Sequence, residues 1–196
     1  MRALVLVDLQ YDFMPGGALA VAHGDEVVAV AQRLIPQFET VVATQDWHPR
    51  DHKSFAANNP GANVGEVREL NALPQVMWPA HCVQGTHGAE LHENLDGITQ
   101  VFQKGTNAEI DSYSGFFDNG HKKATGLDGW LREQGVTELT VMGLATDYCV
   151  KYTVLDALHL GFDVTLVTEG CRAVDLAPGD GERAIAEMAA AGAQIV

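Results

Sequence analysis

Residues 2–8, Arg2-Ala3-Leu4-Val5-Leu6-Val7-Asp8, decide the fold. No polar residue interrupts Ala3 to Val7, so the run lacks the alternation of a strand with one wet face and reads as a strand buried on both sides. Comparable runs rich in β-branched residues recur at 40–44, 98–103, 138–143, 163–167 and 194–196. Helical apolar periodicity occupies 24–38, 127–134, 147–160 and 179–190. Strands alternating with helices predict an α/β fold. Right-handed crossovers then lay helices on both faces of a mainly parallel six-stranded sheet, a three-layer doubly wound architecture.

A length of 196 residues suits a single domain, 1–196, with a sizeable core. The segment 48–94 breaks the alternation: it is rich in Gly, Pro, Asn and His and shows little periodicity. So long an irregular stretch predicts an insertion covering a site. Lys and Arg number 12 against 26 Asp and Glu, a net charge of −14, which disfavours a nucleic-acid partner because neutralising phosphates requires clustered cations. No apolar run approaches the length of a membrane span and no signal segment opens the sequence, so no membrane partner and a cytoplasmic location are expected. Cys82, Cys149 and Cys171 are an odd set without CxxC spacing, which fits a reducing compartment better than a disulfide framework or a thiolate zinc site. Neither the charge nor any helix face decides whether the chain forms a homo-oligomer.

Open α/β sheets bind ligands outside the carboxyl ends of their strands. The residues expected at that rim are Asp8 after the first strand, Asp46 and His48 after the second, Lys104 after the third, and the segment from Gly143 to Cys149 after the fourth. A free cysteine is usually a small buried hydrophobe. Cys149, however, is placed in the first turn of a predicted helix, where backbone N–H groups and the helix dipole favour a thiolate and could line an oxyanion hole. Cys82 and Cys171 lack an acid and a cation at equivalent positions and read as structural. Asp8 would take the thiol proton and return it to an amine leaving group. Lys104, otherwise an ordinary solvated lysine, would hold the two anionic forms. Asp46 and His48 lie on one side of an extended segment and, with His81, offer oxygen and nitrogen ligands suited to zinc, iron or manganese. His52, His87 and His92 compete for the third position, whereas His23, His121 and His159 read as surface or packing residues. Phe13, Trp78 and Tyr113 offer walls for a flat ring. No P-loop, GxSxG elbow or HExxH helix is present, which argues against three common hydrolase chemistries.

Together the segments Val7-Asp8-Leu9-Gln10-Tyr11-Asp12-Phe13, Gln45-Asp46-Trp47-His48-Pro49, Trp78-Pro79-Ala80-His81-Cys82-Val83, Lys104-Gly105 and Gly143-Leu144-Ala145-Thr146-Asp147-Tyr148-Cys149-Val150 resemble the nicotinamidase/pyrazinamidase family of the isochorismatase-like cysteine hydrolases, in family order along essentially the whole chain. The resemblance implies a catalytic triad of Asp8, Lys104 and Cys149. It also implies one divalent metal on Asp46, His48 and His81, zinc first with iron or manganese as alternatives, and His52 as the nearest candidate for a fourth ligand. An oxyanion hole at the N–H groups of Ala145 and Cys149 follows, with a non-proline cis peptide at Leu144–Ala145. The small-molecule partner implied is nicotinamide or pyrazinamide, its ring held by Phe13, Trp78 and Tyr113, and its amide hydrolysed through a cysteine thioester in NAD salvage. The metal motif argues against the isochorismatase branch. Two alternatives stay open: another carbamoyl- or ureido-type amidohydrolase of the same superfamily, and a non-enzymatic module that binds metal or nicotinamide.

Overall fold

A computed structural model describes all residues, Met1–Val196. Its elements run in the order β1 (Arg2–Val7), α1 (Glu26–Leu34), β2 (Thr40–Asp46), β3 (Val67–Leu70), β4 (Leu73–Val76), β5 (Gln100–Lys104), α2 (Leu127–Glu133), β6 (Glu138–Leu144), α3 (Lys151–His159), β7 (Asp163–Arg172), α4 (Asp180–Ala191) and β8 (Gln194–Ile195). Six strands form one parallel sheet in the order β5-β2-β1-β6-β7-β8. The α/β sheet predicted from the apolar runs is therefore present, with its most apolar strands, β1 and β6, at the centre and buried almost throughout. No helix is long and apolar enough to cross a membrane.

The strand order places the connection from β1 to β2 on one side of β1 and the connection from β6 to β7 on the other. That reversal leaves a crevice between the carboxyl ends of β1 and β6, the usual ligand position in such sheets. Gly143 controls how closely the two ends approach. It pairs in register with Val7, has φ +137°, and a Cβ there would stand 2.2 Å from the Val7 carbonyl oxygen.

Three local expectations are corrected. The segment 48–94 is not irregular throughout: β3 and β4 form an antiparallel hairpin within it. Its two-residue turn, Asn71 and Ala72, has φ of +54° and +62°, the left-handed pair of a type I′ hairpin but without the glycine that usually announces one. The helix expected over 147–160 begins as a π-helical turn, Thr146–Val150, in which the Val150 N–H donates to the Ala145 carbonyl at 3.1 Å, and α3 follows it. β7 runs five residues past the expected 163–167, to Arg172, because its pairing with β6 is interrupted by a bulge and resumes at Cys171 opposite Gly143.

The insertion is tied beneath the rim by two side chains from the loop after β1. Gln10 donates to the carbonyls of Asp46 (2.8 Å) and Ala89 (2.9 Å) and accepts the Asp46 N–H (2.8 Å), behaving like a short extra strand. Asp12 accepts the N–H groups of Cys82 (2.6 Å) and Ala18 (3.1 Å).

The Gly143→Ala variant is expected to lose about 3 kcal/mol or more and to melt roughly 6–12 °C lower, since it must move the end of β1 as well as adopt a disfavoured φ. Thermal unfolding checks this, and an unchanged Tm would contradict the close approach described.

Candidate active site

Four strand ends bring their charges to one point. Asp46 and Lys104 face each other across the β2–β5 pair, Asp8 follows β1, and Cys149 lies in the turn after β6. Lys104 Nζ is 2.8 Å from Asp8 Oδ2 and 2.6 Å from Asp46 Oδ1, and it donates to the Ser112 carbonyl at 2.9 Å and toward Cys149 Sγ at 3.3 Å. Thr44 Oγ1 donates to the other Asp8 oxygen at 2.6 Å. The Asp8 carboxylate, the Asp46 carboxylate and the Cys149 thiol lie within 4.8 Å of one another. Asp8, Lys104 and Cys149, expected together from sequence, are thus in contact, and Lys104 is a buried ammonium rather than a solvated one.

Burial raises the Asp8 carboxyl, and the Coulomb pull of Lys104 only partly offsets it. At Asp46 burial also acts upward, but Lys104 and His48 outweigh it and hold the carboxyl well below its ordinary range. Lys104 itself is disfavoured by burial yet raised well above its ordinary value by the two aspartates. Cys149 overturns one expectation. Burial pushes its thiol well up, Lys104 pulls it down by less, and Asp8 adds to the rise. These influences favour the neutral thiol over the thiolate, with the Asp8 carboxyl within reach of its proton.

Cys149 and its neighbours sit where the helix has yet to settle into α-geometry. The Leu144–Ala145 peptide is cis, and the Ala145 N–H is used by no backbone carbonyl. Asp147, in the same turn, accepts the N–H groups of Val174 and Asp175, both at 2.9 Å, and so anchors the segment after β7 against the turn that carries Cys149.

His48 and His81 share one logic. His48 Nδ1 donates to the Gly105 carbonyl at 2.9 Å, and His81 Nδ1 to the Pro79 carbonyl at 2.8 Å. Both Nε2 atoms are thereby turned toward Asp46 Oδ2, at 3.5 and 3.7 Å. Bonds of 2.0–2.1 Å to one tetrahedral ion place donors about 3.4 Å apart. His48 Nε2 is buried and has no hydrogen-bond partner, so its lone pair is free to ligate an ion. Burial lowers the His48 imidazole, but Asp46, together with Asp111 and the Gly105 carbonyl, more than reverses this, and the same field attracts a cation. These three residues fit a divalent metal, with the backbone carbonyls fixing each imidazole tautomer. His52 does not face this point in the same way. The Ser54 N–H donates to its Nδ1 (3.1 Å), Nε2 approaches the Ile110 carbonyl (3.4 Å), and burial brings its pKa down to about 4. His87 and His92 pack on Tyr11 instead.

Phe13, Trp78 and Tyr113 line one pocket with Cys149, Ala145, Asp46 and His81. The sequence reading missed four further lining residues, Leu19, Asp111, Tyr148 and Val174. Tyr148 packs edge-on to Trp78, with ring centroids 4.8 Å apart, and its place directly before Cys149 was the available signal. Trp78 Nε1 donates to the Tyr113 hydroxyl at 3.1 Å, fixing two walls against each other.

The model of the isochorismatase domain matches residues 2–196. The nicotinamidase of Escherichia coli (strain K12) is 54% identical over 99% of this chain and 93% of its own length. Among solved structures, the nicotinamidase/pyrazinamidase of Acinetobacter baumanii superposes with a TM-score of 0.96 at 45% identity, covering 100% of this chain and 95% of that one. The pyrazinamidase of Pyrococcus horikoshii, solved in complex with zinc, gives 0.83 at 38% identity, covering 100% and 98%. This chain belongs to the isochorismatase family.

In this isochorismatase-family chain Gly105 links Lys104 to His48. Its φ is +64°, its carbonyl receives His48, and a Cβ on it would stand 2.3 Å from His48 Cε1. Gly105→Ala should therefore displace the imidazole and weaken binding of a divalent metal by about 10-fold or more while the protein still folds. Metal titration of the folded variant checks this, and wild-type affinity would show that His48 is not held as described.

Proposed function

We propose that the protein is a nicotinamidase, hydrolysing nicotinamide to nicotinate and ammonia and accepting pyrazinamide, with Asp8, Lys104 and Cys149 as its catalytic residues. The carrying observation is the Lys104 ammonium, 2.8 Å from Asp8 and 3.3 Å from Cys149, buried against Cys149 and Asp46, which line a pocket walled by aromatic rings. The 54% identical Escherichia coli nicotinamidase supports the same substrate. Three free buried cysteines suit a cytoplasmic setting, and release of nicotinate suits a place in NAD salvage.

Asp8 removes the Cys149 proton as sulfur attacks the carboxamide carbon. The oxyanion that forms is received by the N–H groups of Ala145 and Cys149. Asp8 then passes its proton to the departing nitrogen, ammonia leaves, and a thioester joins the acyl group to Cys149. In the second half Asp8 takes a proton from water, the resulting hydroxide adds to the thioester carbon, and collapse expels sulfur, which recovers the proton from Asp8. Throughout, Lys104 balances whichever of Asp8 and Cys149 is negative. Phe13, Trp78 and Tyr113 hold the ring so that its carboxamide reaches sulfur. Asp46, His48 and His81 would hold one divalent ion, zinc before iron or manganese, which when bound supplies a Lewis-acidic anchor for a ring nitrogen.

Ammonia release from nicotinamide by metal-replete protein tests the reading. Cys149→Ala is expected to lose about 10³-fold or more in kcat while keeping its fold and metal. Full activity of that variant would reassign the nucleophile, and no ammonia from wild type would remove the nicotinamidase reading.

A further inference from the structure

Asp111 lies in the same pocket, and neither the proposed triad nor the metal-ligand set uses it. It is buried. One carboxylate oxygen accepts the Ser112 N–H at 2.8 Å, and the other accepts the Gln75 amide at 3.1 Å. Gln75 comes from β4 and also donates to the Tyr113 hydroxyl at 2.9 Å, so the hairpin of the insertion is what locks this carboxylate in place. An Asp111 oxygen and ring nitrogens of His48 and His52 lie within 4.8 Å of one another.

The charges of the pocket do not balance without a cation. Lys104 is the only buried Lys or Arg of the chain, and its ammonium is engaged by Asp8, Asp46, the Ser112 carbonyl and Cys149. Asp8, Asp46 and Asp111 against that one ammonium leave two negative charges, and buried charge requires a counter-charge or a full set of donors. Two other buried carboxylates meet the requirement with pairs of backbone donors. Asp118 takes the backbone N–H groups of Gly120 and Lys122, and Asp147 those of Val174 and Asp175. Asp111 has one backbone N–H and one neutral amide.

We propose that Asp111 is a positioning residue for the metal: a carboxylate that does not ligate, whose charge is balanced by the divalent ion held on Asp46, His48 and His81 and which tightens binding of that ion. This rests on the metal part of the proposed function. The excess of two carboxylates over the one ammonium matches a divalent ion and not a monovalent one.

Zinc affinity of metal-stripped protein, measured by competition with a chromophoric chelator, tests the proposal on wild type, His81→Ala, Asp111→Asn and Gln75→Ala. His81→Ala should lose zinc. Asp111→Asn should weaken it by about 10- to 100-fold. Gln75→Ala disturbs the same hydrogen bonds but leaves the charge, now with fewer donors, so its affinity should be unchanged or tighter. Wild-type affinity in Asp111→Asn overturns the proposal, as does an equal weakening in Asp111→Asn and Gln75→Ala, which would mark a structural role. Wild type without zinc affinity overturns the metal reading and this proposal with it. If Asp111→Asn folds poorly, Asp111→Ala read by its zinc-induced rise in Tm serves instead. A smaller rise than wild type supports the charge role, and an equal rise refutes it.

Discussion

The Lys104 ammonium, fully buried and 2.8 Å from Asp8 and 2.6 Å from Asp46, sets the positions of everything around it. An unpaired ammonium in the interior costs several kcal/mol, so the two carboxylates must stand where they do for the strand ends to be buried at all. The converse also holds, since without Lys104 three aspartates would share one pocket. Three strands are thereby locked at their carboxyl ends, and the fourth, β6, delivers a thiol to the same charge.

Backbone geometry makes that convergence possible. β1 and β6 lie side by side at the point where the sheet reverses its winding, and Gly143 lets them close to van der Waals distance just before the nucleophile turn. The insertion then covers the rim. Gln10 and Asp12 fasten it from below, and Gln75 reaches from its hairpin to Asp111 and Tyr113. One face of the pocket is thus charged and the other aromatic. An amide on a flat ring needs both: a proton carrier and nucleophile at its reacting carbon, and apolar walls that exclude water from it.

Asp8, Asp46, Lys104 and Cys149 are legible in the sequence because each stands at or shortly after the end of a segment that reads as a buried strand, and a parallel sheet aligns the ends of such segments. His48 and His81 are legible as ligand types, but only the structure shows their Nδ1 atoms tied to backbone carbonyls. The hairpin of the insertion escapes a reading by pattern: Val67 is exposed, Pro74 stands inside β4, and the turn is Asn71-Ala72 with no glycine. The thiolate expected at Cys149 fails for a related reason. Sequence shows the helix start and the lysine, whereas desolvation, the largest influence on that thiol, exists only once the chain has folded. Leu19, Val174 and Asp111 come to the pocket from three separate loops, and no local signal links them.

The most direct test of the central claim is the turnover of Lys104→Met, a substitution of similar length without the charge, measured on folded and fully metal-loaded protein. Because the ammonium balances Asp8 and Cys149 in turn, kcat is expected to fall by about 10³-fold or more. A divalent metal should bind at least as tightly as in wild type, since Asp46 would no longer share its charge with Lys104. Turnover near wild type would contradict the account, because the strand ends would then work without the charge said to organise them.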